Sequence, residues 1–339
     1  MNTITKQFVL LLAIAATALF PNKAHAERFE FSIPSAADSL PISVCIATPA
    51  QNVETKAVVQ LVHGMCEHKE RYYPFMDFLT QNGYACIIHD HRGHGGSVQS
   101  TDDLGYFYEA GYLGMIDDVL TVGNIAREKF PQKPFFLFGH SMGSMVVRAY
   151  TKRYDNTIDG LIVCGSPSYN AGAAIGESLA ANYAKKYGGH YRPVKLQKMS
   201  FGSFNKKFKE EASPNAWICS DPEIVAAYDA NPLCNYQFTA NGFENLFALM
   251  QDAYGTKDWN NTHPTLPVWF ISGEDDPCLI NTGKFKQAVK RMEKAGYTDV
   301  TYKLYPDMRH EILNEKDKEI VWNDILNHLN EWLNAESKQ

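Results

Sequence analysis

The chain has 339 residues, 45% hydrophobic and 12% aromatic, with 32 basic side chains against 38 acidic ones and a formal net charge of −6. That apolar content can build a buried core and the acidic balance repels phosphate, which excludes a disordered tail, a collagen-like repeat and a nucleic-acid binder as the default reading.

In chain order, residues 1–26 read as an export leader. Lys6 sits near the amino terminus, Phe8 to Phe20 is an apolar run interrupted only by Thr17, and Ala24-His25-Ala26 places small residues at an A-x-A cleavage position. The run is short for ~30 Å of hydrocarbon, so cleavage after Ala26 and an exported protein, periplasmic or secreted, are expected in preference to a retained anchor. Losing Lys6 and Lys23 takes the mature chain from −6 to −8.

Eight short β-rich runs follow: Phe29–Ile33, Ile42–Ala47, Ala57–Val62, Tyr84–His89, Phe135–Phe138, Leu161–Cys164, Pro267–Ile271 and Val300–Leu304. The first two have no helix between them and predict an antiparallel start. The later ones alternate with helical patterns, such as Gly114 to Phe130 and the closing stretch in which Val321, Ile325, Leu329 and Trp332 share a face. The class expected is α/β, with a mainly parallel eight-stranded sheet flanked by helices. Roughly a hundred residues separate Cys164 from Pro267, whereas a βαβ crossover needs only about thirty. The excess, residues 170–239, predicts a helical cap inserted between core segments 27–169 and 240–339, at the carboxyl ends of the strands where open parallel sheets bind ligands.

All seven cysteines follow residue 26, and the odd number leaves at least one thiol free. Cys219 and Cys234, in one irregular segment, are the most plausible pair. No C-x-x-C spacing argues for zinc.

Phe135-Phe136-Leu137-Phe138-Gly139-His140-Ser141-Met142-Gly143 joins an apolar strand to a G-x-S-x-G turn, and a helical pattern continues from Ser144. Such a tight strand-to-helix turn exposes Ser141 Oγ above the sheet edge, over the unpaired N–H groups of a helix start. A serine nucleophile needs a base, and the base an orienting acid. In this setting they should follow in the order acid, then histidine, each after a later strand. His310 follows the last strand, and Glu274-Asp275-Asp276-Pro277 follows the one before. Asp276 is the preferred acid because Pro277 restricts it to an extended backbone; Asp275 is the alternative. The backbone N–H groups of Met142 and of Met65, after the Ala57–Val62 strand, are candidate oxyanion donors. Glu67 and Arg71 beside that loop are expected to brace it through hydrogen bonds, with contact to a substrate head group as the other reading. His89, His91 and His94 imitate a metal cluster, but their glycine-rich loop favours a structural role. His310-Glu311-Ile312-Leu313-Asn314 lacks the second histidine of a zinc-protease motif.

With His63-Gly64-Met65-Cys66-Glu67-His68, His89-Asp90-His91-Arg92-Gly93-His94-Gly95, Gly139-His140-Ser141-Met142-Gly143 and Gly273-Glu274-Asp275-Asp276-Pro277 in order, the chain resembles the monoacylglycerol lipase and lysophospholipase branch of the α/β-hydrolases, also grouped with serine aminopeptidase-like hydrolases. The resemblance spans about residues 30–335. It implies an α/β-hydrolase fold, cleavage of a small lipid or ester through an acyl-enzyme, Ser141, Asp276 and His310 as triad, Met65 and Met142 as oxyanion donors, a cap over an acyl pocket, and no metal or organic cofactor. Met65-Cys66 replaces the small residues often found at those positions, and Ser144 stands where a third glycine is common. An aminopeptidase, or a silent binding module on the same fold, are the alternatives.

Lys185, Lys186, Arg192, Lys195, Lys198, Lys206, Lys207 and Lys209 bring eight positive charges and no acid into 25 positions of the cap, so the remainder of the mature chain carries −16. Tyr187, Tyr191, Phe201, Phe204 and Phe208 are interleaved. This segment is expected to meet a lipid surface peripherally, the alternative being a solvated face whose aromatics pack into the cap's own core. No nucleic acid and no obligate protein partner are expected.

Overall fold

In the computed structural model residues 27–336 are described, and the leader expected at 1–26 lies outside them. The strands are β1 (Glu27–Pro34), β2 (Pro41–Thr48), β3 (Ala57–Val62), β4 (Tyr84–His89), β5 (Phe135–His140), β6 (Gly160–Cys164), β7 (Val268–Gly273) and β8 (Val300–Tyr305). They form one sheet in the order β1-β2-β4-β3-β5-β6-β7-β8. Strand β2 runs antiparallel to β1 and β4, and every other pairing is parallel. A direct connection joins β1 to β2, whereas helical crossovers return the chain to the same edge and make the rest parallel.

Between β3 and β4 comes α1 (Tyr73–Gln81), between β4 and β5 α2 (Gly111–Lys129), and between β5 and β6 α3 (Met142–Tyr154). From β6 to β7 the chain makes α4 (Ala173–Tyr187), α5 (Val194–Phe201), α6 (Pro222–Ala230) and α7 (Ala240–Tyr254), before α8 (Thr282–Lys294) and the closing α9 (Lys318–Glu336). Alternate strand residues feed different faces of the sheet. Val58 and Val62 of β3 join a core with α2, α3 and α8, while Val59 and Leu61 join a second core with α1 and α9. In α9 the buried Val321, Ile325 and Leu329 repeat every four residues. Each such side chain contributes about 1.5–3 kcal/mol, which makes a seam of this kind the main anchor of a terminal helix. Strands β3 to β7 are buried along their whole length, as sheets covered on both faces require.

Residues 170–239 hold α4, α5 and α6. Helix α7 belongs to the core through Phe243, Leu246 and Leu249. The Phe247 ring of α7 fills the space beside Gly176 of α4, where an added Cβ would lie 2.8 Å from it. The expected Cys219–Cys234 pair is not formed, and all seven cysteines are free and buried. Cys219 Sγ takes Asn314 O and the Asp221 N–H as partners at 3.4 Å, while Cys234 lies near Arg71 and Glu67. Their shared irregular segment turns the two thiols to different neighbours.

His63, His89, His91 and His94 pack together at and beyond the ends of β3 and β4, with ring centroids of His63 4.5 Å from His91 and 5.4 Å from His94. His63 Nδ1–H donates to Gly64 O, and its Nε2 accepts the His91 N–H. Burial lowers the pKa of all four, to about 3 for His89 and His94. These rings fold neutral, so the unfolded chain binds more protons below its ordinary histidine pKa of about 6.5. Their contribution is whole above that pH and falls as the solution is acidified, by up to about 1.4 kcal/mol per site and pH unit. The urea midpoint is therefore expected to drop steadily from about pH 6.5 to pH 4.5 at constant m-value. A midpoint that holds or rises over that range contradicts this account.

Candidate active site

Strand order decides where the chemistry gathers. The chain passes from β3 to β4 on one side and then returns to place β5 on the other. The loops after β3 and β5 therefore leave adjacent strands at the point where the order reverses, the crevice in which such sheets bind ligands.

Ser141, between β5 and α3, has φ +54° and ψ −118°. That conformation costs a non-glycine residue about 1–3 kcal/mol, and its neighbours hold it. The Ser141 N–H donates to Cys164 O at 2.9 Å, and the Ser144 hydroxyl donates to Ser141 O at 2.5 Å. Gly143 lets α3 approach the end of β3 closely, since a Cβ there would lie 2.3 Å from Val62 O. Ser144, where the resemblance leads one to expect glycine, thus ties down the strained turn.

His310 stands on the loop after β8 with Nε2 2.8 Å from Ser141 Oγ and Nδ1 2.9 Å from Asp276 Oδ2. Asp276 also accepts the Ser272 hydroxyl at 2.9 Å and the Cys278 N–H at 2.8 Å. Burial raises the Asp276 pKa, but the His310 charge and hydrogen bonds from His310, Cys278 and Ser272 outweigh it and hold the carboxyl below the usual range. An ionised Asp276 fixes the proton on Nδ1 and leaves Nε2 with a lone pair toward the serine. Asp275, the alternative acid, turns outward and pairs with Lys207. The loop crosses β7 at Gly273, where any Cβ would meet Arg309 O at 2.1 Å.

Met65 and Met142 line the same cavity as Ser141. Met142 is the first residue of α3, so its N–H has no partner within the helix. The Gly64 N–H donates to Glu67 Oε1 at 2.5 Å, which sets the direction of the loop carrying Met65. The same oxygen accepts the Tyr72 hydroxyl at 2.9 Å and His140 Nδ1 at 3.2 Å, and Oε2 accepts Arg71 Nη1 at 2.8 Å. Arg71 forks onto Glu311 at 2.7 and 2.6 Å. Glu67 and Arg71 are therefore spent on protein groups.

His140, Glu311, Tyr72 and Ser272 are absent from the sequence-based candidates. His140 occupies the variable position of G-x-S-x-G, and only its spacing beside Ser141 could have drawn attention. Its Nε2 meets His310 O at 3.2 Å, so both ring nitrogens face acceptors and both must carry protons. Burial lowers its pKa, but the Glu67 hydrogen bond and the charges of Glu67 and Glu311 raise it above the ordinary histidine value. His140 thus bridges the loop of His310 to the loop of Met65, with both contacts favouring its protonated form.

The cavity above Ser141 has a volume of about 800 Å³, at the upper end of the range for small-molecule sites. Met145, Leu246, Phe247 and Met250 line it from the core, and Phe201, Phe204 and Trp217 from the cap. The Trp217 ring lies 5.1 Å from that of His310. Among the described residues the four buried histidines do not converge on a common ligand position; Asp276, Cys278 and His310 do.

Known proteins match this architecture over most of its length. The chain is 29% identical over 278 residues to a monoacylglycerol lipase of Mycolicibacterium smegmatis, covering 81% of this chain and 88% of that protein. It is 26% identical to a monoglyceride lipase of Saccharomyces cerevisiae, covering 84% and 87%. Among solved structures, a thermostable carboxyl esterase from Bacillus coagulans in complex with glycerol superimposes with a TM-score of 0.83 at 28% identity, over 90% of this chain and 99% of that one. The profile of the family described as serine aminopeptidase, S33, matches residues 53–317, and the chain belongs to that family of α/β-hydrolases.

Proposed function

We propose that this chain is an exported serine hydrolase that cleaves carboxylic esters through an acyl-enzyme, acting on single-acyl lipids such as monoacylglycerols or lysophospholipids. The observation that carries the reading is the hydrogen-bonded line Ser141–His310–Asp276 at the floor of a large, mainly apolar cavity. Similarity to monoacylglycerol lipases and a carboxyl esterase supports it.

In this reading Ser141 attacks the ester carbonyl while His310 Nε2 takes its proton. The imidazolium is held by Asp276 and returns the proton to the leaving alcohol. The N–H groups of Met65 and Met142 receive the oxyanion. Water then attacks the acyl-enzyme with His310 again as base. An aminopeptidase would need a carboxylate for the substrate amine. The carboxylates lining the cavity are Glu67 and Glu311, both engaged with Arg71, so the ester reading is preferred.

The cap supports an approach to lipid. Ile175, Val194 and Met199 are 67%, 54% and 62% exposed on the helices that carry the lysines, α4 and α5, and Met199 and Lys198 also line the cavity. Phe201 packs on Phe243, Phe204 on Trp217, and Phe208 beneath Arg309. The phenylalanines serve the cap's interior, which leaves Tyr187 and Tyr191 with the exposed aliphatic residues as the surface that meets head groups.

Ser141→Ala is expected to abolish fluorophosphonate labelling and leave at most about a thousandth of the esterase rate. Asp276→Asn is expected to lose about 10⁴ in kcat by stranding the wrong tautomer, while Asp275→Asn stays within a few-fold; the reverse order overturns the assignment. Across monoacylglycerols, lysophospholipids, p-nitrophenyl esters and aminoacyl amides, the single-acyl lipids are expected to be turned over fastest, and preference for amides removes the reading. Co-sedimentation with anionic vesicles is expected to weaken as salt rises; equal, negligible binding to anionic and neutral vesicles at every salt concentration rules out the lipid-facing cap. The exported protein is expected to begin at Glu27.

A further inference from the structure

Asp276 is followed by a helical turn, Pro277–Leu279, whose Cys278 N–H the Asp276 carboxylate accepts. That turn brings the Cys278 thiol back over the carboxylate and beside His310. One carboxylate oxygen, the sulfur and one imidazole nitrogen all lie within 4.8 Å of one another, and all three residues are buried. Cys278 and His310 both line the cavity, so an ion that enters it can reach them. No other set of three ligating side chains comes this close among the described residues.

The donor set has a defined chemistry. Sulfur, imidazole nitrogen and carboxylate oxygen together suit borderline-soft cations such as Zn²⁺ and Cd²⁺, and disfavour Mg²⁺ and Ca²⁺. Tetrahedral Zn²⁺ with bonds of about 2.0–2.3 Å needs its ligand atoms roughly 3.3–3.6 Å apart. The Asp276–His310 contact of 2.9 Å would have to open by about half an ångström.

We propose that Asp276, Cys278 and His310 form an inhibitory site for a thiophilic divalent cation, with Zn²⁺ as the type. The proposal rests on the reading of Ser141, His310 and Asp276 as the catalytic line. On binding, Cys278 releases its S–H proton to solvent and becomes a thiolate ligand, and Asp276 contributes a carboxylate oxygen. His310 gives Nδ1 to the metal and its single ring proton moves to Nε2. No electrons change hands. With Nε2 protonated, His310 has no lone pair for the Ser141 proton 2.8 Å away, so the nucleophile stays a hydroxyl and turnover stops. A chelator removes the ion and restores the original tautomer.

The test uses the full mature chain. Zn²⁺, but not Mg²⁺, is expected to inhibit p-nitrophenyl ester hydrolysis reversibly, with recovery on adding EDTA. Cys278→Ala, normalised to its own metal-free rate, is expected to raise the half-inhibiting Zn²⁺ concentration at least tenfold, and Cys278→Ser serves the same purpose if the alanine variant does not fold. Independently of turnover, Cd²⁺ added to Ser141→Ala protein is expected to give a thiolate-to-metal charge-transfer absorbance that disappears in Ser141→Ala/Cys278→Ala. Equal Zn²⁺ sensitivity with and without the Cys278 thiol, or no Cys278-dependent Cd²⁺ absorbance, overturns the site. Cd²⁺ absorbance in a chain that hydrolyses no ester overturns the proposed function and leaves the metal site standing; esterase activity without that absorbance does the opposite.

Discussion

The Glu67 carboxylate is the interaction on which the geometry around Ser141 depends. One of its oxygens receives the Gly64 N–H, the Tyr72 hydroxyl and His140, and the other receives Arg71. Burial opposes its ionisation, but the His140 hydrogen bond and the charges of Arg71 and His140 hold its pKa well below the ordinary glutamate value. With His140 and Arg71 as cations and Glu67 and Glu311 as anions, the cluster is balanced in charge and almost dry. Such a group is costly to assemble, and removing one partner typically costs about 3–5 kcal/mol by leaving a buried charge uncompensated. What it gives in return is position: the loops after β3, β5 and β8 are tied to one another by charge-assisted bonds and not left to loop entropy.

The second constraint is backbone strain. Ser141 holds a left-handed φ without being glycine, and the conformation persists because Gly143 lets the helix start lie against β3 while the Cys164 carbonyl and the Ser144 hydroxyl anchor the turn from both sides. The strain keeps Ser141 Oγ at His310 and the α3 amides beneath it, an arrangement made before any substrate arrives. Above it the cap is of a different nature. It holds a small core of its own, Ile218, Cys219 and Val225, while Ala180 and Leu196 are buried against the main core.

Much of the fold is readable from the chain alone, for a physical reason. Strands β3 to β7, buried on both faces, must be continuous apolar runs, and the eight β-rich runs in the sequence correspond to the eight strands of the sheet. The candidate residues are readable in part, because the serine turn, the acidic cluster and His310 each follow such a run at its carboxyl end. The choice between Asp275 and Asp276 is weakly readable through Pro277; the geometry separates them by turning Asp275 to Lys207. The thiol pairing was misread because closeness along an irregular segment sets no distance between two sulfurs.

By itself, then, the sequence determined the element types, the parallel core and the order of serine, acid and histidine, since these follow from local periodicity, glycine placement and strand ends. Only the tertiary structure decided which side chains meet. Arg71 and Glu311 are 240 positions apart, and His140 and His310 are 170 apart. Pairings at such separations follow from strand order, with β3 and β5 side by side and β7 and β8 completing one edge of the sheet. No local pattern encodes that order; it emerges when both faces of the sheet are buried at once.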